Sequence, residues 1–284
     1  MEFKGRDSSL VLFVFSYDYA DFLQECLDSC LRELGRDIQW VLVETGVTES
    51  TKLIASDFGT RNQVDIDYIK FEKTSTLIAV LELSKIYKQK HAILLSADDL
   101  LGENYGNQIR FELGQEYKKP TIVNFRHIIC DERLNPLRIR IPSWSPTIKA
   151  NKRRLTIGNP GNTAGALLPW GFVSSTLAKE KIPSILIEDY WLWWQSVGKC
   201  DFKNNTQGEV LYRKHAASTT SANRNSHYAF SLGYVSALPC YMNKNVFYRF
   251  MGLFLIFRWG RHLHYSVWDS YRRGYFESFR GFKK

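Results

Sequence analysis

The sequence predicts an α/β protein whose mainly parallel sheet is covered by helices on both faces. Continuous apolar runs, such as residues 10–15, are typical of strands that are buried on both faces. These runs alternate with segments in which apolar residues recur at helical spacing, which is typical of parallel sheets. With 284 residues and 44% hydrophobic content, the chain is long enough to bury a substantial core.

The order of the elements follows from these periodicities. A helix is expected directly after the first strand, with Asp18 as its N-cap. In the first half, further strands are predicted at 38–43, 64–71 and 91–95, and further helices at 49–58 and 74–89. In the second half, we expect strands at 121–125 and 209–212, a helix at 187–197 and a long loop at 143–165 that contains two Pro and three Gly.

Polar residues follow three of the predicted strands at the points where the strands end. They are Ser16, Tyr17 and Asp18 after the first strand, Glu44 and Gly46 after the second, and Asp98 and Asp99 after the strand at 91–95. Ligands of open parallel sheets bind in the crevice beyond the carboxyl ends of the strands. The sequence therefore predicts one ligand crevice that is lined by these three turns.

The chemistry of the three turns favours a nucleotide with a divalent cation. Asp98 and Asp99 supply the hard oxygen ligands that a cation bridging two phosphates requires, although both could instead cap the next helix. Glu44 can accept a hydrogen bond from a nucleobase or a ribose, while Gly46 lets the backbone approach a ligand closely. Ordinary turn chemistry is the alternative for this second turn. Ser16 and Tyr17 are candidates for lining a base pocket, with a purely structural role as the alternative.

A second acidic pair, Glu188 and Asp189, precedes a Trp-rich run. Partial desolvation beside aromatic surface raises the pKa of a carboxylate and makes it a better proton acceptor near neutral pH. Adjacent residues at the start of a helix point about 100° apart, so one carboxylate can enter a site while the other has a structural role. Asp189 is our candidate for a general base, and helix capping is the alternative for the pair. Arg213 could contact phosphates, and His215 could complete a metal shell.

The net charge of +9 is concentrated at the end of the chain. Residues 240–284 hold nine Lys/Arg against two Asp/Glu, together with 14 of the 41 aromatic residues. This composition favours the interface of an anionic membrane, with a structural cap on the core and nucleic-acid binding as alternatives. No apolar stretch reaches the roughly 20 residues that span a bilayer. We see no signal peptide, and the five scattered cysteines indicate reduced thiols and a cytoplasmic location.

Taken in order, these segments resemble the family 2 glycosyltransferases with the GT-A fold, a Rossmann-like architecture, and in particular bacterial enzymes that build surface polysaccharide such as O-antigen or capsule. The resemblance covers residues 8–220 and rests on the following six segments. They are residues 15–18 (Phe-Ser-Tyr-Asp), 43–49 with its Glu-Thr-Gly turn, 94–101 with its Asp98-Asp99 pair, 165–170, which resembles the strand before the acceptor site, 188–193 (Glu-Asp-Tyr-Trp-Leu-Trp) and 212–215 (Tyr-Arg-Lys-His). Ser96 stands where the family's metal motif has its first Asp.

The resemblance implies an inverting transfer of a sugar from a nucleoside-diphosphate sugar, which we expect to be a UDP-sugar. It implies Asp189 with Glu188 as the catalytic pair, and Mn²⁺ or Mg²⁺ held by Asp98, Asp99 and His215. The donor contacts that it implies are Ser16, Tyr17, Asp18, Glu44, Gly46, Ala97 and Arg213. The Gln-x-x-Arg-Trp signature of processive members is absent, so a single addition per encounter is expected.

The resemblance, together with the composition of the tail, leads us to expect the following domain division and cellular setting. We expect a GT-A domain at 1–226, with a donor-binding half at 1–118 and an acceptor half at 119–226, followed by a basic-aromatic helical tail at 227–284. The expected acceptor is a polyprenol-linked glycan at the cytoplasmic face of the inner membrane, with no nucleic acid bound. Two other functions stay open: sugar-nucleotide binding without turnover, and a basic nucleic-acid-binding module.

Overall fold

The structure is a computed structural model that describes residues 9–47, 49–71, 76–157, 159–179, 188–216 and 218. These residues fall into two compact units, with boundaries near residues 146, 160, 182, 197 and 214. The first unit contains the sheet and most of the helices. The second contains two helices and the residues that follow His215. The expected tail at 227–284 lies outside the described residues, and among those residues no helix is both long and apolar enough to cross a bilayer.

The first half of the chain alternates strands and helices as expected. The strands are β1 (Leu10–Ser16), β2 (Gln39–Glu44), β3 (Ile66–Lys70) and β4 (His91–Ser96). The helices are α1 (Ala20–Leu34), α2 (Ser50–Asn62) and α3 (Thr76–Ile86). A two-residue strand, β5 (Leu100–Leu101), and helix α4 (Tyr105–Leu113) complete this half. All of β1 is buried, because apolar side chains cover both of its faces.

The second half of the chain extends the same sheet. Its strands are β6 (Thr121–Cys130), β7 (Pro136–Arg140), β8 (Leu167–Pro169) and β9 (Asp201–Arg213). Its helices are α5 (Ile148–Ile157), α6 (Trp170–Lys179) and α7 (Glu188–Ser196). The strand order is β3-β2-β1-β4-β8-β6-β9-β5, with β7 paired to β6. The α/β prediction is confirmed. The sheet is parallel from β3 to β4, whereas β8 pairs antiparallel with both of its neighbours.

The order of the first four strands creates a switch point between β1 and β4. The chain moves outward from β1 through β2 to β3 and then crosses back to β4 on the other side of β1. Right-handed crossovers place α1 and α2 on one face of the sheet and α3 on the other. Contacts agree with this arrangement, because α1 packs against α2 while α3 packs against α6. Ligand crevices in open α/β sheets lie at such a switch point.

The core uses both faces of the central strands. On one face, alternate residues of β1 (Leu10, Leu12 and Val14) belong to a cluster with the apolar stripe of α1. On the other face, the ring of Phe13 packs against Tyr87 and Trp170, with ring centroids 5.4 and 5.0 Å away. The central strand β1 is therefore held by packing on both of its faces.

Two local predictions were wrong, and a third was too short. Asp18 does not cap α1: its backbone is left-handed with a φ of 59°, and Oγ of Ser16 accepts the hydrogen bond from the amide of Tyr19 at 3.3 Å. The loop predicted at 143–165 contains α5, because the basic side chains of Lys152, Arg153 and Arg154 are exposed while Leu155 is buried. The strand predicted at 209–212 is the end of the 13-residue β9, whose polar first half hides its periodicity.

Candidate functional site

The carboxyl ends of β1, β2 and β4 bring three predicted turns side by side. Ser16 is paired with Glu44 across β1 and β2, and Phe15 is paired with Ser96 across β1 and β4. The amide of Ala97 donates to the carbonyl of Phe15 at 2.8 Å, which continues the pairing by one residue. Since β1 is the central strand of the three, the polar residues after β2 and β4 lie on either side of its end.

The turn after β2 is built around the buried carboxylate of Glu44. Oε1 of Glu44 accepts hydrogen bonds from the amides of Gly46 at 2.6 Å and Asp18 at 3.4 Å, while Oε2 accepts from the hydroxyl of Thr51 at 2.9 Å. Oδ1 of Asp18 accepts from the amide of Val47 at 2.9 Å. The two acidic side chains therefore join the turn after β1 to the turn after β2. Glu44 therefore has a structural role, and its expected contact with a nucleotide stays a prediction.

The turn after β1 combines a buried hydroxyl with an exposed ring. The carbonyl of Ser16 accepts hydrogen bonds from the amide and the hydroxyl of Thr45 at 2.9 and 3.1 Å. Tyr17, the next residue, is 57% exposed. An exposed aromatic ring at this end of the sheet is a candidate surface on which a planar base can stack.

The turn after β4 carries two adjacent and nearly buried carboxylates. Asp98 is 7% exposed and Asp99 is 1% exposed. Burial, and secondly the charge of Asp98, raise the pKa of Asp99 well above its usual range. Oδ1 of Asp99 accepts a hydrogen bond from the backbone amide of Arg213 at 3.0 Å. Ala97 is fully buried.

Arg213 lies at the end of β9 and is itself buried. Its Nε donates to the carbonyl of Asp98 at 3.1 Å, and its Nη1 donates to the carbonyl of Glu132 at 3.1 Å. Nη2 forms an ion pair with Glu25, and the guanidinium lies 4.6 Å from the centre of the Phe22 ring. Sequence reasoning missed Glu25, because a single exposed carboxylate on an amphipathic helix carries no motif that distinguishes it.

The two carboxylates of the turn after β4 are suitable ligands for a divalent cation that also binds phosphate. The described residues contain no group of three or more His, Cys, Asp or Glu side chains that could form an all-protein cage. Mg²⁺ is typically held by one or two carboxylates while substrate phosphates and water supply the other ligands. Asp98 and Asp99 match this sparse arrangement.

The remaining predicted residues belong to the second unit. Glu188 and Asp189 are the first two residues of α7, and their side chains lie outside the described part of the structure. Further along the helix, Trp191 and Trp193 are buried. His215 is buried as well, and its carbonyl accepts a hydrogen bond from the hydroxyl of Ser218 at 3.0 Å. The roles expected of Glu188, Asp189 and His215 stay predictions.

The amino-acid sequence matches no protein-family model and no curated protein, whereas the fold matches solved structures. TarS from S. aureus, solved with UDP-GlcNAc, is similar with a TM-score of 0.61 at 10% identity, covering 95% of this chain and 79% of that one. The mannosyltransferase PcManGT from Pyrobaculum calidifontis, solved with GDP-Man and Mn²⁺, gives 0.53 at 11% identity, with 94% and 79% covered. GalNAc-T7, solved with UDP, GalNAc and Mn²⁺, gives 0.53 at 13% identity, with 84% and 49% covered.

The chain has a GT-A-like glycosyltransferase fold. The predicted fold class is thereby confirmed. At this level of identity the likeness concerns the fold. The turns after β1, β2 and β4, at the switch point of the sheet, are the candidate site that the chain's own residues define.

Proposed function

We propose that the protein is a metal-dependent, inverting and non-processive glycosyltransferase. It moves a sugar from a nucleoside-diphosphate sugar, which we expect to be a UDP-sugar, to a hydroxyl group of a glycan. The observation that carries the proposal is the convergence of the turns after β1, β2 and β4 at the switch point of a GT-A-like sheet. The ligands of the similar structures support the same class of ligand here: UDP-GlcNAc in TarS, GDP-Man and Mn²⁺ in PcManGT, and UDP, GalNAc and Mn²⁺ in GalNAc-T7.

The donor nucleotide is assigned to the turns after β1 and β2. Tyr17 provides the ring on which the base stacks, while Ser16, Asp18 and Glu44 shape the pocket through the hydrogen bonds described above. Gly46 keeps the backbone of the second turn close to the first. Ala97 contributes backbone at the adjacent end of β4.

The diphosphate is assigned to the turn after β4. Asp98 and Asp99 would hold the divalent cation, with His215 as the further ligand that the family resemblance implies. When bound, such a cation stabilises the negative charge that develops on the leaving diphosphate. Asp98 is the principal ligand in this proposal, because Asp99 also accepts a hydrogen bond from Arg213.

The proton transfer is assigned to Asp189. As the acceptor oxygen forms its bond to the anomeric carbon, its proton passes to the carboxylate of Asp189. The bond from the anomeric carbon to the diphosphate oxygen breaks on the opposite face of the sugar, and the electron pair leaves with the diphosphate. The configuration at the anomeric carbon is inverted. Glu188 is the neighbouring carboxylate on the first turn of α7.

The acceptor in this proposal is a polyprenol-linked glycan of surface-polysaccharide synthesis. The basic and aromatic composition of residues 240–284 supports contact with the anionic cytoplasmic face of the inner membrane. Cations attract anionic headgroups, while Trp and Tyr side chains favour the membrane–water interface.

A donor screen tests the proposed function. Purified protein with Mn²⁺ is incubated with UDP-, GDP- and dTDP-sugars, and release of nucleoside diphosphate is followed. We expect release from one donor, abolished by a chelator and by Asp189→Asn. If no donor is cleaved and none raises the melting temperature, the transferase proposal is wrong.

A second candidate function is sugar-nucleotide binding without turnover. Two observations favour it: Ser96 replaces the first Asp of the metal motif, and Asp99 is engaged by Arg213. Donor-dependent stabilisation without release, in the presence of a polyprenol-linked acceptor, would support this candidate over the enzyme.

A further inference from the structure

Arg213 connects the acidic turn to helix α1. Its backbone amide and its Nε donate to Oδ1 of Asp99 and to the carbonyl of Asp98, so two atoms of one residue hold both members of the acidic pair. On its other side, the guanidinium contacts two residues of α1, the carboxylate of Glu25 and the ring of Phe22. The acidic turn is thereby fixed to the helix that begins just after the turn that follows β1.

The guanidinium of Arg213 is poorly placed to bind a phosphate. Bidentate binding of a phosphate requires two parallel N–H groups that face the ligand. Here Nε, Nη1 and Nη2 each already donate to a protein oxygen, and Cζ lies 4.6 Å from the centre of the Phe22 ring. The side chain is only 4% exposed. This arrangement indicates that Arg213 fixes the conformation of the residues around it.

Glu25 determines the orientation of Arg213. Its side chain is 55% exposed, whereas its partner is buried, so a surface carboxylate neutralises a buried cation. An ion pair to Nη2, together with packing on Phe22, leaves the guanidinium little rotational freedom. Nε of the same guanidinium donates to the carbonyl of Asp98. Loss of the Glu25 charge is therefore expected to increase the mobility of the acidic turn, although Glu25 itself lies on α1 and outside that turn.

We propose that Arg213, oriented by Glu25, is a positioning residue that holds the Asp98–Asp99 turn in the conformation that binds the divalent cation. The inference rests on the proposed function in that it takes this turn as the metal site. Partners one step removed from a metal commonly change its affinity by about 10–100-fold when they are removed. Such a residue affects metal affinity and not the recognition of the nucleotide itself.

The test uses three variants of the full chain. Glu25→Gln keeps the shape and an acceptor oxygen but removes the charge. Arg213→Lys keeps the charge but has a single nitrogen, which cannot reach four groups at once. Asp28→Asn is the matched control, because Asp28 is an exposed carboxylate on the same helix that is bonded to Gln24 and not to Arg213. Glu25→Gln alters an exposed side chain, so it remains informative even if Arg213→Lys does not fold.

Two measurements on these variants separate the inference from the proposed function. Hydrogen exchange of the amides at residues 97–101, measured without any ligand, reports the rigidity of the turn. UDP raises the melting temperature in a manner that depends on Mn²⁺, and the Mn²⁺ concentration that gives half of this rise reports the metal affinity of the site. UDP binding in the presence of a chelator reports recognition of the nucleotide without metal. We expect faster exchange and an increase of about tenfold in this Mn²⁺ midpoint for Glu25→Gln and Arg213→Lys, with UDP binding in chelator unchanged. Asp28→Asn should match the wild type.

Unchanged exchange in Glu25→Gln would overturn the positioning role, whatever the protein catalyses. The role would also be overturned if Arg213→Lys weakened UDP binding in chelator while Glu25→Gln left the Mn²⁺ midpoint unchanged, because that result indicates a direct phosphate contact. If exchange increased as expected but the wild type bound neither Mn²⁺ nor any of UDP, GDP and dTDP, the proposed function would fail. The metal-binding role would be overturned with it, and only the structural link between Arg213 and the turn would stand.

Discussion

The amide of Gly46 donates a 2.6 Å hydrogen bond to Oε1 of Glu44, a carboxylate with no exposed surface. The same oxygen receives the amide of Asp18, so one buried charge holds the turns after β1 and β2 together. Charge-assisted hydrogen bonds of this kind are about twice as strong as neutral ones. The entrance to the candidate donor site is therefore organised by the protein before any ligand binds.

Gly46→Ala is expected to disrupt this entrance. A Cβ at residue 46 would stand 2.5 Å from Oδ1 of Asp18 and 2.8 Å from its backbone nitrogen, so the two turns must separate. We expect the free energy of unfolding to fall by about 1–3 kcal/mol and UDP binding to weaken more than stability alone explains. Urea unfolding and UDP titration provide the measurements.

The control for this variant is Gly171→Ala in α6, where an added Cβ meets nothing within 4 Å. Alanine is favoured over glycine in a helix by up to about 1 kcal/mol, so this variant should be neutral or stabilised. Equal behaviour of the two variants would show that the closeness of Asp18 and Gly46 has no energetic consequence.

The sequence predicted the first half of the fold well because its central strands are short runs rich in apolar, β-favouring residues. Runs of this length are too short for a buried helix, and the ends of β1 and β2 were placed to within one residue. β9 was predicted only over four residues near its end, 209–212, because its first half is polar and derives its order from pairing with β6. Helix α5 was missed for a similar reason: its sequence is basic, and two prolines near its ends suggested a loop.

The sequence could predict which residues of the candidate site lie together, because these residues follow the ends of neighbouring parallel strands. The positions of Ser16, Glu44 and Asp98 beside one another follow from the rule for parallel sheets. The internal hydrogen bonds of the turns were not predictable, because they depend on backbone directions that are set by tertiary contacts. The left-handed backbone of Asp18 converts an expected helix cap into a link to Val47, and the ion pair between Glu25 and Arg213 joins residues 188 positions apart.

Asp98→Asn is expected to weaken metal binding while the fold is retained, since the substitution keeps the size of the side chain. A neutral amide is a poor ligand for a hard cation. We expect the half-saturating Mn²⁺ concentration to rise at least about 10–100-fold, the loss that even outer-shell changes cause. Asp37→Asn, an exposed carboxylate elsewhere in the first unit, is the control. An unchanged Mn²⁺ requirement would remove Asp98 from the metal site.

Asp189→Asn is expected to fold normally and to lose transfer. Removing a general base commonly costs a factor of about 10²–10⁴ in rate, because the acceptor hydroxyl must then attack without losing its proton to the enzyme. Donor binding, measured by UDP-sugar titration, should be unchanged, so the loss appears in kcat. Turnover close to that of the wild type would show that Asp189 is not the general base.

Removal of residues 245–284 is expected to release the protein from anionic vesicles. This segment carries most of the net charge of the chain, so its contribution should be strongest at low salt and should decline as ionic strength rises. Vesicle sedimentation at low and high salt, with and without anionic lipid, gives the measurement. Equal sedimentation of the full and shortened chains at low salt would contradict the membrane role of the tail.

His127 is expected to make the fold sensitive to acid. The imidazole is buried on β6, with Nδ1 3.0 Å from the carbonyl of Phe125 and Nε2 3.0 Å from the carbonyl of Ala164. Burial outweighs the two carbonyls, which favour the charged form, and lowers the pKa of His127 to about 4. Between this value and the pKa of about 6.5 in the unfolded chain, the unfolded state binds the additional proton. Stability from this residue is therefore complete above pH 6.5 and is lost as the pH falls towards 4.

The loss amounts to about 3 kcal/mol over that interval, at 1.36 kcal/mol per pKa unit. Urea unfolding of the wild type and of His127→Gln at pH 7 and pH 4.5 isolates the contribution, because the other titrating groups cancel in the difference between the two proteins. The wild type should lose about 2–3 kcal/mol more than the variant between the two pH values. Parallel losses would mean that folding does not lower the pKa of His127.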